Sequence, residues 1–99
     1  MELIVGDVVT LRTEVLGCKP GTRGVVYETY PDFDIPGKKG ASIIFENGEY
    51  DGFSVRDQEM HLKEEPIMYI PFYIRDYKFT NVMKLSQDFR NDFWGEIFN

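Results

Sequence analysis

Over the first 65 residues, apolar and polar positions alternate in short runs, and none of these runs repeats at the three-to-four spacing of a helix. In VGDVVTLR, residues 5–12, Val9 and Leu11 can face one way while Val8, Thr10 and Arg12 face the other, which predicts a half-buried strand. GCKPGTRG, 17–24, is rich in Gly and Pro and predicts a loop. VVYETY, 25–30, carries β-branched and aromatic residues and predicts a second strand. PDFDIPGKKG, 31–40, is a longer turn-rich loop, and ASIIFE, 41–46, a third strand. Asn47-Gly48 suits the two positive-φ positions of a type I′ turn, so 43–46 and 49–53 are expected to form a tight hairpin. MHLKE, 60–64, reads as a short fifth strand after a turn through Arg56-Asp57-Gln58. The pattern predicts a mainly β fold: five short strands bent into a small barrel.

Glu64-Glu65-Pro66 marks a boundary, because proline cannot continue a ladder inside a sheet. IMYIPFYI, 67–74, predicts a further strand in which Pro71 forces an edge position or a bulge. From Asn81 onward, Val82, Leu85, Phe89 and Phe93 recur at steps of three and four, the stripe of an amphipathic helix. Thr80 or Asn81 can cap its start and Gly95 can end it. The expected organisation is a barrel over 1–65 and a strand-plus-helix extension over 66–99, within one compact domain. The extension holds 9 of the 15 aromatic residues.

Composition narrows the class. Aromatic content of 15% excludes an aromatic-poor, charge-driven disordered chain. MELIVGDVV lacks a basic n-region and a long apolar stretch, so it does not read as a signal peptide, and no apolar window reaches bilayer length. Cys18 is the single cysteine and His61 the single histidine, so neither an internal disulfide nor a Cys/His zinc site is expected. A cytoplasmic location follows as an expectation. The net charge of −6 comes from residues 1–65, where 7 Lys+Arg face 13 Asp+Glu, against 4 and 4 in residues 66–99. Direct nucleic-acid binding, which draws its affinity from Lys and Arg on phosphates, is disfavoured by that balance.

The succession VGDVVTLR, PGTRGVVYE, ASIIFENGEYDGF, MHL resembles the SH3-like small β-barrels over about residues 4–64. Its first half is similar to the KOW-type pattern, with Gly6-Asp7, alternating Val9 and Leu11, then Gly24-Val25-Val26 after a glycine-containing loop. Its second half is similar to the short SH3-like subunits of photosynthetic complexes such as photosystem I, where a strand ending in Phe-Glu precedes a turn, an aromatic and a Gly, matching Phe45-Glu46, Tyr50 and Gly52. The resemblance implies a fold; such barrels serve RNA binding, peptide binding and docking within larger complexes alike.

Candidate chemistry is sparse. No Ser-His or Cys-His arrangement suggests a nucleophile beside a base. Asp32, Asp34 and Gly37 sit as in a calcium loop, but Ile43 falls where the bidentate Glu belongs. The glycines of GTRG precede a strand rather than the helix that a phosphate cradle needs. The expectation is a protein without catalytic activity, cofactor or metal. Tyr27, Tyr30, Phe33, Tyr50 and Phe53 lie on neighbouring strands or the loop between them, and flat rings of this kind supply contact area at low entropic cost; Phe53 and one tyrosine have an alternative place in the barrel core. Trp94, beside the helical stripe, is expected at a contact with a partner. The extension 67–98 either packs on its own barrel or mediates binding to a partner or a second copy.

Three functions fit these residues. The leading one is a protein-interaction module acting through the aromatic surface and the extension, with acids steering it to a basic partner. The second is a small acidic inhibitor, of phage or immunity type, occupying the basic site of a nucleic-acid enzyme through Glu46, Glu49 and Asp51. The third is KOW-like RNA or ribosome binding through Lys19, Arg23, Lys38 and Lys39.

Overall fold

The computed structural model of the chain describes residues 2–69. The elements in chain order are β1 (Asp7–Thr10), β2 (Arg23–Pro31), β3 (Lys39–Phe45), β4 (Tyr50–Phe53), α1 (Val55–His61) and β5 (Met68–Tyr69). The strands form one antiparallel sheet in the order β4-β3-β2-β1-β5. The first four make a meander of successive neighbours, and β5 returns to pair with β1, Asp7 opposite Tyr69 and Val8 opposite Met68. β4 and β5 stand at the two edges, and no strand pairing among the described residues closes the sheet into a barrel.

Two elements differ from the sequence reading. The segment expected as a turn followed by strand 60–64 is the helix α1 and its exit. Ser54 caps it by accepting from the Asp57 amide while the Asp57 carboxylate accepts from the Ser54 amide, a reciprocal box that satisfies two otherwise orphaned donors. Arg12 closes the other end, donating through Nε to the Leu62 carbonyl and through its guanidinium to that of Glu59. Of MHLKE only Leu62 keeps a β contact, an isolated bridge to Leu11, and the fifth strand lies past Pro66 instead. The hairpin is where it was expected, but its turn is not type I′. Gly48 donates to the Phe45 carbonyl at 2.8 Å and alone takes positive φ, 86°, while Asn47 remains at negative φ. The loop therefore has three residues, the length that places one glycine in the left-handed region and returns the chain at Glu49.

The core lies on one face of the sheet. Val9, Val26, Ala41, Ile43, Phe45 and Phe53 point from the strands to meet Leu3, Leu11, Cys18 and Leu62. Phe45 and Phe53 meet edge to face at 5.8 Å. Each fully buried Val, Leu, Ile or Phe among them contributes about 1.5–3 kcal/mol. Gln58, the buried polar residue of α1, donates to the Lys39 and Phe53 carbonyls and ties the helix to the ends of β3 and β4.

The half-buried character expected of β1 is not observed: all four of its residues are buried. The register aligns Met68, Val8, Val25, Ile44 and Tyr50 in a row across five strands on the second face. Val8, Val25 and Ile44 in the middle of that row are 0% exposed.

The strand expected over 67–74 is described only as far as Tyr69. The expected helix with Val82, Leu85, Phe89 and Phe93, its expected caps and Trp94 fall outside the described residues.

Candidate functional site

The β2–β3 connection presents the most exposed large apolar side chain among the described residues. Phe33 is 93% exposed and stands with its ring 6.2 Å from that of Tyr30. The loop is braced by Asp32. One carboxylate oxygen accepts from the Asp34 and Ile35 amides and the other from the Val55 amide at the start of α1, while the Asp32 amide donates to the Lys38 carbonyl. The Val55 amide above all holds the Asp32 carboxyl below its usual pKa; the Asp34 and Ile35 amides and the Arg56 charge act the same way against a desolvation that opposes them. A residue read as a possible calcium ligand is thus occupied with backbone donors.

Tyr30 lies across β3 and β4. A Cβ on Gly40 would come within 2.3 Å of its ring, and one on Gly52 within 3.0 Å of its hydroxyl. Two missing side chains therefore make the seat for this ring. Burial pushes the Tyr30 hydroxyl pKa up, and the negative charges of Asp57, Asp32, Asp51 and Glu28 push it the same way. These four carboxylates lie near Tyr30, whose ring meets that of Phe33, and Tyr50 is half-buried on β4 opposite Ile44.

Tyr27 sits deeper. The ladder shifts register between Val26 and Glu28, so Tyr27 is the extra residue of a bulge, a device that re-aims a side chain. It is 8% exposed. Burial raises its hydroxyl pKa to about 12, with Glu28, Tyr50 and Asp51 adding to the rise and a hydrogen bond with Ser42 opposing it. Phe53 is 3% exposed in the core, packed between Phe45 and the His61 ring. Of the aromatic candidates, then, Tyr30 and Phe33 share a surface and Tyr50 is half-buried on β4, while Tyr27 and Phe53 are interior.

The acidic trio is divided. Glu46 receives Arg23 through Nε at 3.1 Å, through the guanidinium at 2.7 Å and through the backbone amide at 2.8 Å. Glu49 lies across the hairpin turn, its amide donating to the Asn47 side chain, and Asp51 is exposed on β4. The Arg23–Glu46 pair also removes one of the four basic residues proposed for RNA. Cys18 is buried beside this hairpin, and burial, with Glu49 and Glu46 nearby, pushes its thiol pKa up.

Glu28, Asp32 and Asp57 were not recognised as parts of this surface from sequence. Glu28 carried a usable signal, two positions before Tyr30 on the same strand. Asp57 joins only because α1 forms, and Asp32 only because its loop folds onto that helix. A separate cleft is lined by Arg12, Lys38, Lys39, Gln58, Glu59 and Glu64, charges of both signs, and by none of the described aromatic candidates. No group of three or more potential metal ligands gathers among the described residues, and no described helix is long and apolar enough to cross a membrane. No protein family matches the sequence, and no curated protein or solved structure matches it either.

Proposed function

We propose that this protein is a non-enzymatic interaction module of SH3-like type that takes a basic segment of a partner protein on the Tyr30–Phe33 surface. The observation that carries the reading is Phe33: a phenyl ring 93% exposed on a loop fastened by four backbone hydrogen bonds of Asp32. A large ring held out by a braced loop loses little entropy on contact, which is the economy of an aromatic binding anchor. The ring of carboxylates supplies the sign of the partner, since Glu28, Asp32, Asp51 and Asp57 attract Lys and Arg and speed encounter. The meander order with β5 returning to β1 is compatible with a small β fold. The acidic-inhibitor alternative needs Glu46, Glu49 and Asp51 to act together, and Glu46 is already engaged by Arg23.

Fluorescence anisotropy with matched Lys/Arg-rich and Asp/Glu-rich peptides tests it. The protein is expected to bind the basic set, and Phe33→Ala to weaken that binding about 10-fold or more, as loss of an anchor worth at least about 1.4 kcal/mol does. Equal affinity for both peptide sets, or an unaffected Phe33→Ala, would sink the proposal.

A further inference from the structure

β4 is one edge of the sheet, and among the described residues no strand pairs with its outer side. The ladder decides which backbone groups face outward there. The Phe45 amide donates to the Glu49 carbonyl, so the hydrogen-bonded pairs that follow in this antiparallel ladder are Ile43–Asp51 and Ala41–Phe53. Gly52, opposite Ser42, falls between them and turns its amide and carbonyl away from β3. That amide donates at 2.8 Å to the carboxylate of its own neighbour, Asp51. Asp51 and Gly52 are both exposed.

We infer that the basic segment of the partner is received as an added strand, its backbone pairing with the outer edge of β4 at Gly52. The inference rests on the basic-partner reading of the Tyr30–Phe33 surface and supplies its mode of binding. Position comes first. The Tyr30 ring runs over Gly40 and ends at Gly52, its hydroxyl 3.0 Å from the place a Gly52 Cβ would take, and the Phe33 ring adjoins it. A strand laid along β4 therefore sets alternate side chains beside these rings. Charge comes second, and it stands on both sides of the edge. Glu28 shares the row Glu28–Ser42–Gly52 and accepts from the Ser42 hydroxyl, which places it on the Tyr30 side. Asp51, paired with the core residue Ile43, alternates to the other side. An extended segment rich in Lys and Arg meets a carboxylate whichever way its side chains point. The exchange of hydrogen bonds also balances: a partner carbonyl takes the Gly52 amide, and a partner Lys or Arg takes the released Asp51 carboxylate.

The same charge turns away the other occupant. Bare sheet edges invite pairing between copies, and a charged side chain on the edge deters it. A second copy would bring its own acidic edge against Asp51, in a chain of net charge −6, whereas a basic strand is drawn to that edge. Gly52, with no side chain, lets the partner backbone come close.

The experiment titrates the full-length protein with a short fluorescent peptide of alternating Lys and Arg in three forms of equal charge: unmodified, N-methylated at alternate residues, and N-methylated at consecutive residues. Alternate methylation leaves one side of an extended peptide with all its amide donors, and consecutive methylation leaves neither. The first two forms are expected to bind alike and the third about 10-fold or more weaker, as loss of several backbone hydrogen bonds requires. Hydrogen exchange of the Gly52 amide, followed by NMR, should slow when the unmodified peptide is added. If the unmodified peptide binds in a Phe33-dependent way and the consecutively methylated form binds as tightly, the added strand is overturned while the reading of the surface stands. Equal loss for both methylated forms, or an unchanged Gly52 exchange rate, would overturn it too. Absence of binding, or binding indifferent to Phe33→Ala, overturns both readings together. A Gly52 amide already protected without peptide, in a protein that sediments as a dimer, would give the edge to a second copy.

Discussion

Asp32 shows how much one side chain can organise. Its two oxygens fix the turn that carries Phe33 and anchor that turn to the first residue of α1, so the loop, the helix and the aromatic surface share one carboxylate. Because the folded pKa is depressed, the stabilisation is fully present above the ordinary carboxylate range and is lost as pH falls through the folded value. Asp32→Asn is therefore expected to melt at a lower temperature than wild type near neutral pH, and the gap should narrow as the solution is acidified below about pH 4. Thermal melts of both proteins from pH 7 to pH 2 measure it. A gap that stays constant over that range would mean the ionised carboxylate contributes nothing. Gly48 is the complementary case, a residue needed for what it lacks. At φ 86° a valine there meets the left-handed penalty of about 1–2 kcal/mol, raised further by β-branching. Gly48→Val should lower the unfolding midpoint accordingly, with Gly48→Asn milder; a denaturant titration of the three proteins decides, and an unchanged midpoint for the valine would contradict the turn geometry.

Among the elements, those set by local chemistry were legible and those set by distant contacts were not. β-branched and aromatic runs located β2, β3 and β4 to within about two residues, and Asn47-Gly48 located the hairpin. The turn type was missed because Asn-Gly fits two loop lengths, and the difference lies in one hydrogen bond, Gly48 to Phe45. α1 was missed because it buries only Gln58 within its seven residues and so leaves no apolar period. Its capping pair, Ser54 and Asp57, stands in the sequence, but Asp57 reads there as part of the turn through Arg56-Asp57-Gln58. β5 was legible as a strand, while its partner was not, since nothing near Met68 announces Val8. The site followed the same division. Tyr30, Phe33 and Tyr50 could be named from their positions on strands and loop, whereas the sorting of Tyr27 and Phe53 into the interior depended on a bulge and on α1 sealing the first face.

For the molecule as a whole, Pro66 is a boundary in composition but not in the sheet. The Ile67 amide donates to the Val8 carbonyl at 2.8 Å, and the next two residues complete a ladder with β1. A chain ending at Glu65 would lose that ladder and strip one side from β1, whose residues are all buried. Loss of a cooperative calorimetric transition is expected for it, and a sharp transition close to that of the full chain would show the first 65 residues to be self-sufficient. The same ladder bears on the order of folding. Every other strand pair joins neighbours in sequence, but Asp7 and Tyr69 stand at opposite ends of the described chain, so their pairing carries the largest loop-closure entropy. The meander can assemble first and β5 can arrive after the rate-limiting step. Weakening the β1–β5 ladder should then speed unfolding while leaving refolding nearly as fast, so that the protein's lifetime against opening is held by the pairing of β5 with β1.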